Sequence, residues 1–403
     1  MKTLIATTLL LVTTQTVMAH PDCVFHTAPV GGHTGAYKVT TTQKKSDSSI
    51  VNATIQVKEK LDELVHLFNM FSSKKIRVLA ALSQSTTVDA PLKYSAETIA
   101  KELNELQKTM SPEMKNALFS NGQPNISKIS EAEIHRYGGK IAGLYELAIR
   151  YDLLIQRKSA YIEQSKRDVR GFYYLYSRGI DDKKLVNFNQ FPAKDQSEIS
   201  NALIGMCRNS GVKLNNCNKE LKKSLKMNNS AGFYAKYRNK AVETWNSFFQ
   251  IPASAVRSDV TIRNNVLEIP FMMQKSTLMH DFAKSIEDSW KVSGLEVHLD
   301  FKNEKNIPNI ILKENSVAHL EKLGGNEITM NTTLDFTRFE NKRTLSHEFG
   351  HVLGLPDCYI EFYDEAEQVF VNYQLFKNDM MCSAGGKITP RIIQELKRIY
   401  GAK

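Results

Sequence analysis

The chain has 403 residues, of which 42% are hydrophobic and 24% are charged, the composition of a globular protein long enough to form two domains. Its net charge of +10 is uneven, because residues 1–244 carry 35 Lys and Arg against 22 Asp and Glu, whereas residues 245–403 carry 18 against 21. The basic residues are scattered and have few aromatic residues between them, which argues against a nucleic-acid-binding protein. The sequence contains no internal repeat and no low-complexity tract.

Residues 1–19 have the pattern of a secretory signal peptide. Lys2 precedes an apolar run over residues 4–12, and residues 17–19 (Val-Met-Ala) form a small-residue cleavage site. No later segment is apolar over a length that could span a membrane. The sequence therefore predicts a secreted protein, extracellular or periplasmic, without a transmembrane segment.

Residues 20–244 are predicted to form a mostly helical N-terminal domain. A hairpin-like segment at 37–57 precedes helices at 57–71, 96–110, 131–176, 193–207 and 231–249. The third of these helices begins at a capping box formed by Ser130 and Glu133, and we expect it to break at Gly138-Gly139.

Three roles are open for this basic domain. The first is an inhibitory prodomain, whose positive face meets the acidic second part of the chain and whose removal activates a zymogen. The second is a permanent domain that binds anionic surfaces such as lipid or cell-wall polymers. The third is a solvated helical scaffold.

Residues 245–403 mix strand and helix patterns and predict an α+β fold for this domain. The expected elements are strands at 265–271, 295–301 and 309–312 and helices at 275–290 and 344–353. A further short strand enters through Gly324-Gly325 and carries Ile328 and Met330 in alternation with polar residues.

The second helix of this domain contains His347, Glu348 and His351. Residues four apart lie on one face of a helix, about one turn from each other, so the two imidazoles can bind one metal ion. Glu348 then lies beside the ion, where a carboxylate can take a proton from water and return it to a leaving amine. Gly354 can end the helix in a left-handed conformation, and the chain can then bring Asp357 back toward the metal.

The motif residues read His-Glu-Phe-Gly-His-Val-Leu-Gly-Leu-Pro-Asp, which resembles the extended motif of the metzincin metalloproteases. Aspartate at the last position, where the usual motif has histidine, is similar to the snapalysin group of small secreted bacterial proteases. The resemblance covers about the last 150 residues, and within them only the helix motif and the methionine turn are specific. It implies a mixed sheet with a backing helix, an active-site helix and a methionine turn.

The resemblance also implies a secreted zinc endopeptidase whose substrate is a protein or peptide. In that case His347, His351 and Asp357 bind Zn²⁺ and leave one position open. Glu348 acts as general acid and base. The strand at residues 324–331 is then the exposed edge of the sheet, with which an extended substrate pairs. On the residues alone, an ordinary core-facing strand is the alternative.

Residues 378–383 (Asn-Asp-Met-Met-Cys-Ser) are the candidate methionine turn. The resemblance favours Met381 over Met380 as the floor of the metal site, whereas on their own two adjacent methionines would simply fill core space. The aromatic residues between the motif and this turn either wall a substrate pocket or close a small core; they are Tyr359, Phe362, Tyr363, Phe370, Tyr373 and Phe376.

Other interpretations of the same residues stay open. If Asp357 only caps a turn, a gluzincin-like hydrolase acting on cell-wall peptides would take a ligand from Glu361, Glu365 or Glu367. A non-catalytic protein that uses zinc for binding or adhesion would keep the ligands without needing Glu348. Two imidazoles and one oxygen ligand also suit cobalt, nickel or manganese.

Four of the five cysteines form two predicted disulfide bonds, as suits an exported protein. Cys207 and Cys217 enclose a short loop. Cys358 and Cys382 directly follow the proposed third ligand and the proposed turn methionine, so they are close enough to bridge if the resemblance holds. Cys23 is left over, and is either a propeptide ligand of the cysteine-switch type or an unpaired or intermolecular cysteine.

Overall fold

The computed structural model describes residues 44–71, 76, 78, 86–120, 125–314, 316, 318–383 and 385–401, with side chains from residue 49 onward. The predicted signal peptide, Cys23 and residues 37–43 lie outside the described residues. Helices dominate the first part of the chain, and helices alternate with short strands in the second. The predicted α+β class is confirmed.

The helical region, as we call residues 44–246, is built from helices and one short strand. Its elements are α1 (Lys44–Phe71), β1 (Leu92–Tyr94), α2 (Ala96–Thr109), α3 (Pro112–Phe119), α4 (Glu131–Ile155), α5 (Lys158–Gln164), α6 (Arg170–Ser177), α7 (Asp182–Leu185), α8 (Ala193–Asn209), α9 (Leu214–Lys226) and α10 (Ser230–Asn246). The predicted capping box is present, because the Ser130 hydroxyl accepts a hydrogen bond from the backbone N–H of Glu133 and the Glu133 side chain reaches back to Ser130.

The hairpin predicted before residue 57 is wrong where the chain is described. Residues 44–57 belong to α1, whose buried side chains recur every three or four residues. They are Val51, Thr54, Val57, Leu61 and Leu64. This spacing is that of one helix face, and it prevails over the strand preference of the β-branched residues.

The predicted break at Gly138-Gly139 is also wrong. Helix α4 runs through both glycines to Ile155. A Cβ on Gly138 would lie 2.9 Å from the side chain of Val78, so the glycine permits a close approach of another segment to the helix. The chain breaks later, through α5 and a 3₁₀ turn at Ser165–Arg167 before α6.

The second part of the chain contains the expected strands and helices, and most of their ends lie within about two residues of the predictions. The helix predicted at 344–353 is the exception, because it begins five residues earlier, at Phe339. Its elements are β2 (Thr261–Arg263), β3 (Val266–Met272), α11 (Thr277–Ser289), β4 (Glu296–Lys302), β5 (Asn309–Lys313), β6 (His319–Leu320), β7 (Glu327–Asn331), α12 (Phe339–Val352), β8 (Tyr359–Asp364), β9 (Val369–Gln374) and α13 (Pro390–Tyr400).

The strands form three three-stranded sheets, not the single mixed sheet that the resemblance implied. Strand β3 pairs antiparallel with β2 and parallel with β4, and α11 makes the crossover between β3 and β4. Strand β5 pairs parallel with β7. The Met272 N–H donates to Pro308 O at 2.8 Å and so connects the end of β3 with the start of β5.

Strand β7 is not the exposed edge that the resemblance implied. It lies between β5 and β6, and four of its five residues are buried. The antiparallel strand β6 covers it through the pairs His319–Thr329 and Leu320–Ile328. The outer strand on this side is therefore β6, which is only two residues long.

The third sheet joins the two parts of the chain. Strands β8 and β9 form an antiparallel hairpin, and β1 of the helical region pairs antiparallel with β9 from Leu92–Asn372 to Tyr94–Phe370. A boundary between residues 244 and 245 thus falls in the last turn of α10 and does not separate the two parts in space.

The predicted disulfide bond between Cys207 and Cys217 is present, with 5.9 Å between the two Cα atoms, and it links α8 to α9.

Within the part of the chain that the structure describes, no helix combines the length and the apolar character needed to cross a membrane.

Candidate metal centre

The motif with His347, Glu348 and His351 lies at the end of α12, where the chain reverses at Gly354. This residue has a φ of +85°, a left-handed conformation that favours glycine. The Gly354 N–H donates to His351 O and the Leu355 N–H donates to Gly350 O, the two hydrogen bonds of a Schellman motif. The predicted return of the chain toward the helix is therefore present, and it brings Asp357 next to the two histidines.

Three side-chain atoms converge on one point. Asp357 Oδ1 lies 3.2 Å from His347 Nε2 and 3.3 Å from His351 Nε2. Two ligand atoms that each lie about 2.0–2.1 Å from a tetrahedral zinc ion are about 3.3–3.4 Å apart. The spacing of these three residues therefore fits a zinc ion between them.

Backbone carbonyl groups fix the orientation of both imidazoles. His347 Nδ1 donates to Met380 O at 2.9 Å, and His351 Nδ1 donates to Leu355 O at 2.8 Å, because a carbonyl oxygen can only accept. With the proton on Nδ1, a neutral imidazole points the lone pair of Nε2 at Asp357. Asp357 Oδ1 is buried and has no hydrogen-bond donor in that state, so a positive species is needed between the three atoms.

When no metal ion is bound, a proton on an imidazole supplies the positive charge beside Asp357. Burial lowers the pKa of His351, but the Asp357 carboxylate outweighs burial and raises this pKa to about 9. Burial also lowers the pKa of His347, but the hydrogen bond with Asp357 and the negative charges of Asp357 and Glu348 together raise it above its usual value. The two imidazoles in turn hold the pKa of Asp357 well below its usual range, against the effect of its burial. The site thus attracts positive charge whichever species fills it.

Glu348 lies beside this centre and is 7% exposed. Its carboxylate oxygen and the imidazole nitrogens of His347 and His351 all lie within 4.8 Å of one another. The carboxylate oxygen closest to both imidazoles belongs to Asp357 and not to Glu348, since Asp357 Oδ1 lies within 3.3 Å of each Nε2 atom. Glu348 is therefore placed to act on a molecule bound at the centre.

Tyr359 is a site residue that the sequence did not single out. It is 4% exposed, and its hydroxyl is hydrogen-bonded to the Asp357 side chain. Burial, followed by the negative charges of Asp357 and Glu348, raises the pKa of Tyr359 well above its usual value. The phenol stays protonated and orients the carboxylate. The signal available in the sequence was its position two residues after Asp357, at the start of β8.

The candidate methionine turn packs against α12. Met381 is fully buried, and a Cβ added to Gly350 of α12 would collide with its sulfur atom. Met380 instead contributes its carbonyl oxygen to His347. Met381 therefore packs against α12, while the Met380 carbonyl group orients the His347 imidazole.

A disulfide bond between Cys358 and Cys382 ties the segment after Asp357 to this turn, with 4.4 Å between the two Cα atoms. The Cys358 N–H also donates to Met381 O at 3.0 Å. Asp379 lies close to both cysteines, but their sulfur atoms are bonded to each other and are not free thiolates. Asp379 instead accepts hydrogen bonds from Thr389 and Arg391.

The alternative glutamate ligands are placed elsewhere. Glu361 is buried and accepts hydrogen bonds from Arg150, whereas Glu365 and Glu367 are exposed.

The aromatic residues between Asp357 and the candidate methionine turn mostly close a small core. Five of them are buried in the β8–β9 hairpin, and only Phe376, at 46%, is exposed.

Comparison of the chain with models of known protein families, with curated proteins and with solved structures finds no match. The functional assignment therefore depends on the motif and on the geometry of this centre.

Proposed function

We propose that this chain is a secreted zinc-dependent endopeptidase of the metzincin type, with an aspartate as third ligand. His347, His351 and Asp357 would hold Zn²⁺. One observation carries this proposal. Two imidazoles, each oriented by a backbone carbonyl group, converge on a buried oxygen of Asp357 that has no hydrogen-bond donor. The signal-peptide pattern and the two disulfide bonds support secretion.

When bound, zinc would supply a Lewis acid that polarises water and the scissile carbonyl group. Glu348 would accept a proton from the attacking water and return it to the leaving amine. Its low exposure keeps bulk water away from the carboxylate and strengthens its interactions with charge that develops nearby. Tyr359 would hold Asp357 in place through its hydrogen bond.

The test uses purified full-length protein and a diverse peptide library, with and without a chelator. We expect cleavage within peptides that the chelator abolishes and zinc restores. Glu348→Gln should keep zinc and lower kcat by about 10²–10⁴-fold, the range for loss of a general base. Glu340→Gln, an exposed change on the same helix, is the matched control.

Two results would contradict the proposal. Undiminished cleavage by the Glu348→Gln variant would remove the assigned mechanism. Stoichiometric zinc without cleavage of any peptide would favour a binding or adhesion protein instead.

A further inference from the structure

The β8–β9 hairpin, which begins two residues after Asp357, carries a buried carboxylate, Glu361, whose ion-pair partner among the described residues lies in the helical region. Glu361 is 1% exposed. Arg150 of α4 donates from Nε to Glu361 Oε1 at 2.7 Å and from Nη2 to Oε2 at 2.5 Å. Tyr94 of β1 donates to Oε1 at 2.6 Å. A buried carboxylate without such partners is strongly unfavourable, so the hairpin depends on these two side chains.

The same face of the hairpin also inserts an aromatic ring into the helical region. Phe370 is fully buried, and its ring centroid lies 5.7–5.8 Å from those of Tyr94, Tyr151 and Tyr161. These three tyrosines come from β1, α4 and α5. Two of the three contacts are edge-to-face, a favourable arrangement for aromatic pairs.

The opposite face of the hairpin contacts the helical region as well. The Tyr373 hydroxyl donates to Asp168 Oδ1 at 2.8 Å and accepts the Val169 N–H at 3.0 Å. Arg170 donates to Asp168 from Nε and Nη2, and its Cζ lies 5.3 Å from the ring centroid of Phe362. Parts of the helical region therefore enclose the hairpin on both faces.

We propose that the helical region is a permanent part of the metal centre and not a removable prodomain, and that Arg150 is a positioning residue for Asp357. This inference rests on the proposed function. Arg150 acts through Glu361, which fixes the strand that continues directly from the third ligand. Cleaving the helical region away would expose both faces of the hairpin and leave the Glu361 charge without its partner, so Asp357 would lose its fixed position.

The test compares zinc affinity and ligand geometry in variants of the full chain. Arg150→Met removes the guanidinium, and Arg136→Met, an exposed change on the same helix, is the control. The double variant Arg150→Met with Glu361→Gln removes both charges and keeps the test informative if the single variant folds poorly. The zinc dissociation constant is measured by competition with a chromophoric chelator. The absorption bands of the Co²⁺-substituted protein report the ligand geometry.

We expect Arg150→Met to weaken zinc binding by about tenfold or more and to alter the Co²⁺ bands, the size of effect seen when groups that orient metal ligands are removed. The control should match the parent, and the double variant should recover most of the affinity. Unchanged affinity and bands in Arg150→Met would overturn the role of Arg150. A double variant no better than the single one would overturn it too. A parent protein that binds no zinc would instead count against the proposed function.

The mass of the active protein tests the permanence of the helical region. Protein purified from culture medium by its zinc-dependent activity should contain helices α1 to α10 joined to the second part of the chain. An active form that begins near residue 245 and keeps the zinc affinity of the full chain would overturn the inference.

Discussion

The Phe370→Ala substitution tests whether the two parts of the chain fold as one unit. Phe370 belongs to the second part of the chain in sequence, but its ring is fully buried among three tyrosines of the helical region. Truncation of a buried phenylalanine costs about 3–5 kcal/mol, from lost transfer free energy and from the cavity that remains. At about 2–4 °C for each kcal/mol, the melting temperature should fall by on the order of 10 °C.

The assay is thermal unfolding followed by circular dichroism at a wavelength dominated by helix. Most of the described helices lie in the helical region, so this signal reports a part of the molecule that the substitution leaves chemically intact. Phe376→Ala is the control, because that ring is 46% exposed and should cost about 1 kcal/mol or less. If the helical signal of Phe370→Ala melts within about 2 °C of the parent, the two parts are not energetically coupled and the reasoning fails.

Two further predictions concern single residues. Gly354→Ala should lose stability and zinc affinity, because a Cβ would lie 2.8 Å from Ile251 Cγ2 and 2.9 Å from Ala255 O, in addition to the strain of a positive φ. Gly211→Ala is the control, because Gly211 has a similar φ of +78° but open space around it. The control should lose only about 1–2 kcal/mol of stability and no zinc affinity. Equal zinc affinities of the Gly354→Ala and Gly211→Ala variants would refute the steric argument. Glu146→Gln should raise the melting temperature at pH 8 but not at pH 5, because burial raises the pKa of this carboxyl to about 7, and its ionisation above that pH destabilises the folded state. Melting curves of both proteins at the two pH values check the sign, and a larger gain at pH 5 would contradict it.

The local features of the centre were predictable from the sequence because they depend on short-range geometry. The four-residue spacing of His347 and His351 places them on one helix face, and Gly354 permits the reversal that returns Asp357. The pairing of Cys358 with Cys382 followed from the same reversal once the resemblance was assumed.

The contacts between the two parts of the chain could not be predicted in this way. Strand β1 has three residues and finds its partner β9 far along the chain, and Arg150 and Glu361 are 211 residues apart. No local pattern encodes such pairs. Packing against a distant segment also explains the error at Gly138, where Val78 approaches α4. The error at β7 has a local cause, because the strand that covers it, β6, is only two residues long and gives no strand pattern in the sequence.

Zinc K-edge X-ray absorption of the zinc-loaded full-length protein tests the central claim most directly. We predict one zinc ion per chain, bound only by nitrogen and oxygen atoms at about 2.0–2.1 Å, with the scattering pattern of two imidazoles. A sulfur ligand at about 2.3 Å, a single imidazole, or the absence of stoichiometric zinc would contradict the site built from His347, His351 and Asp357.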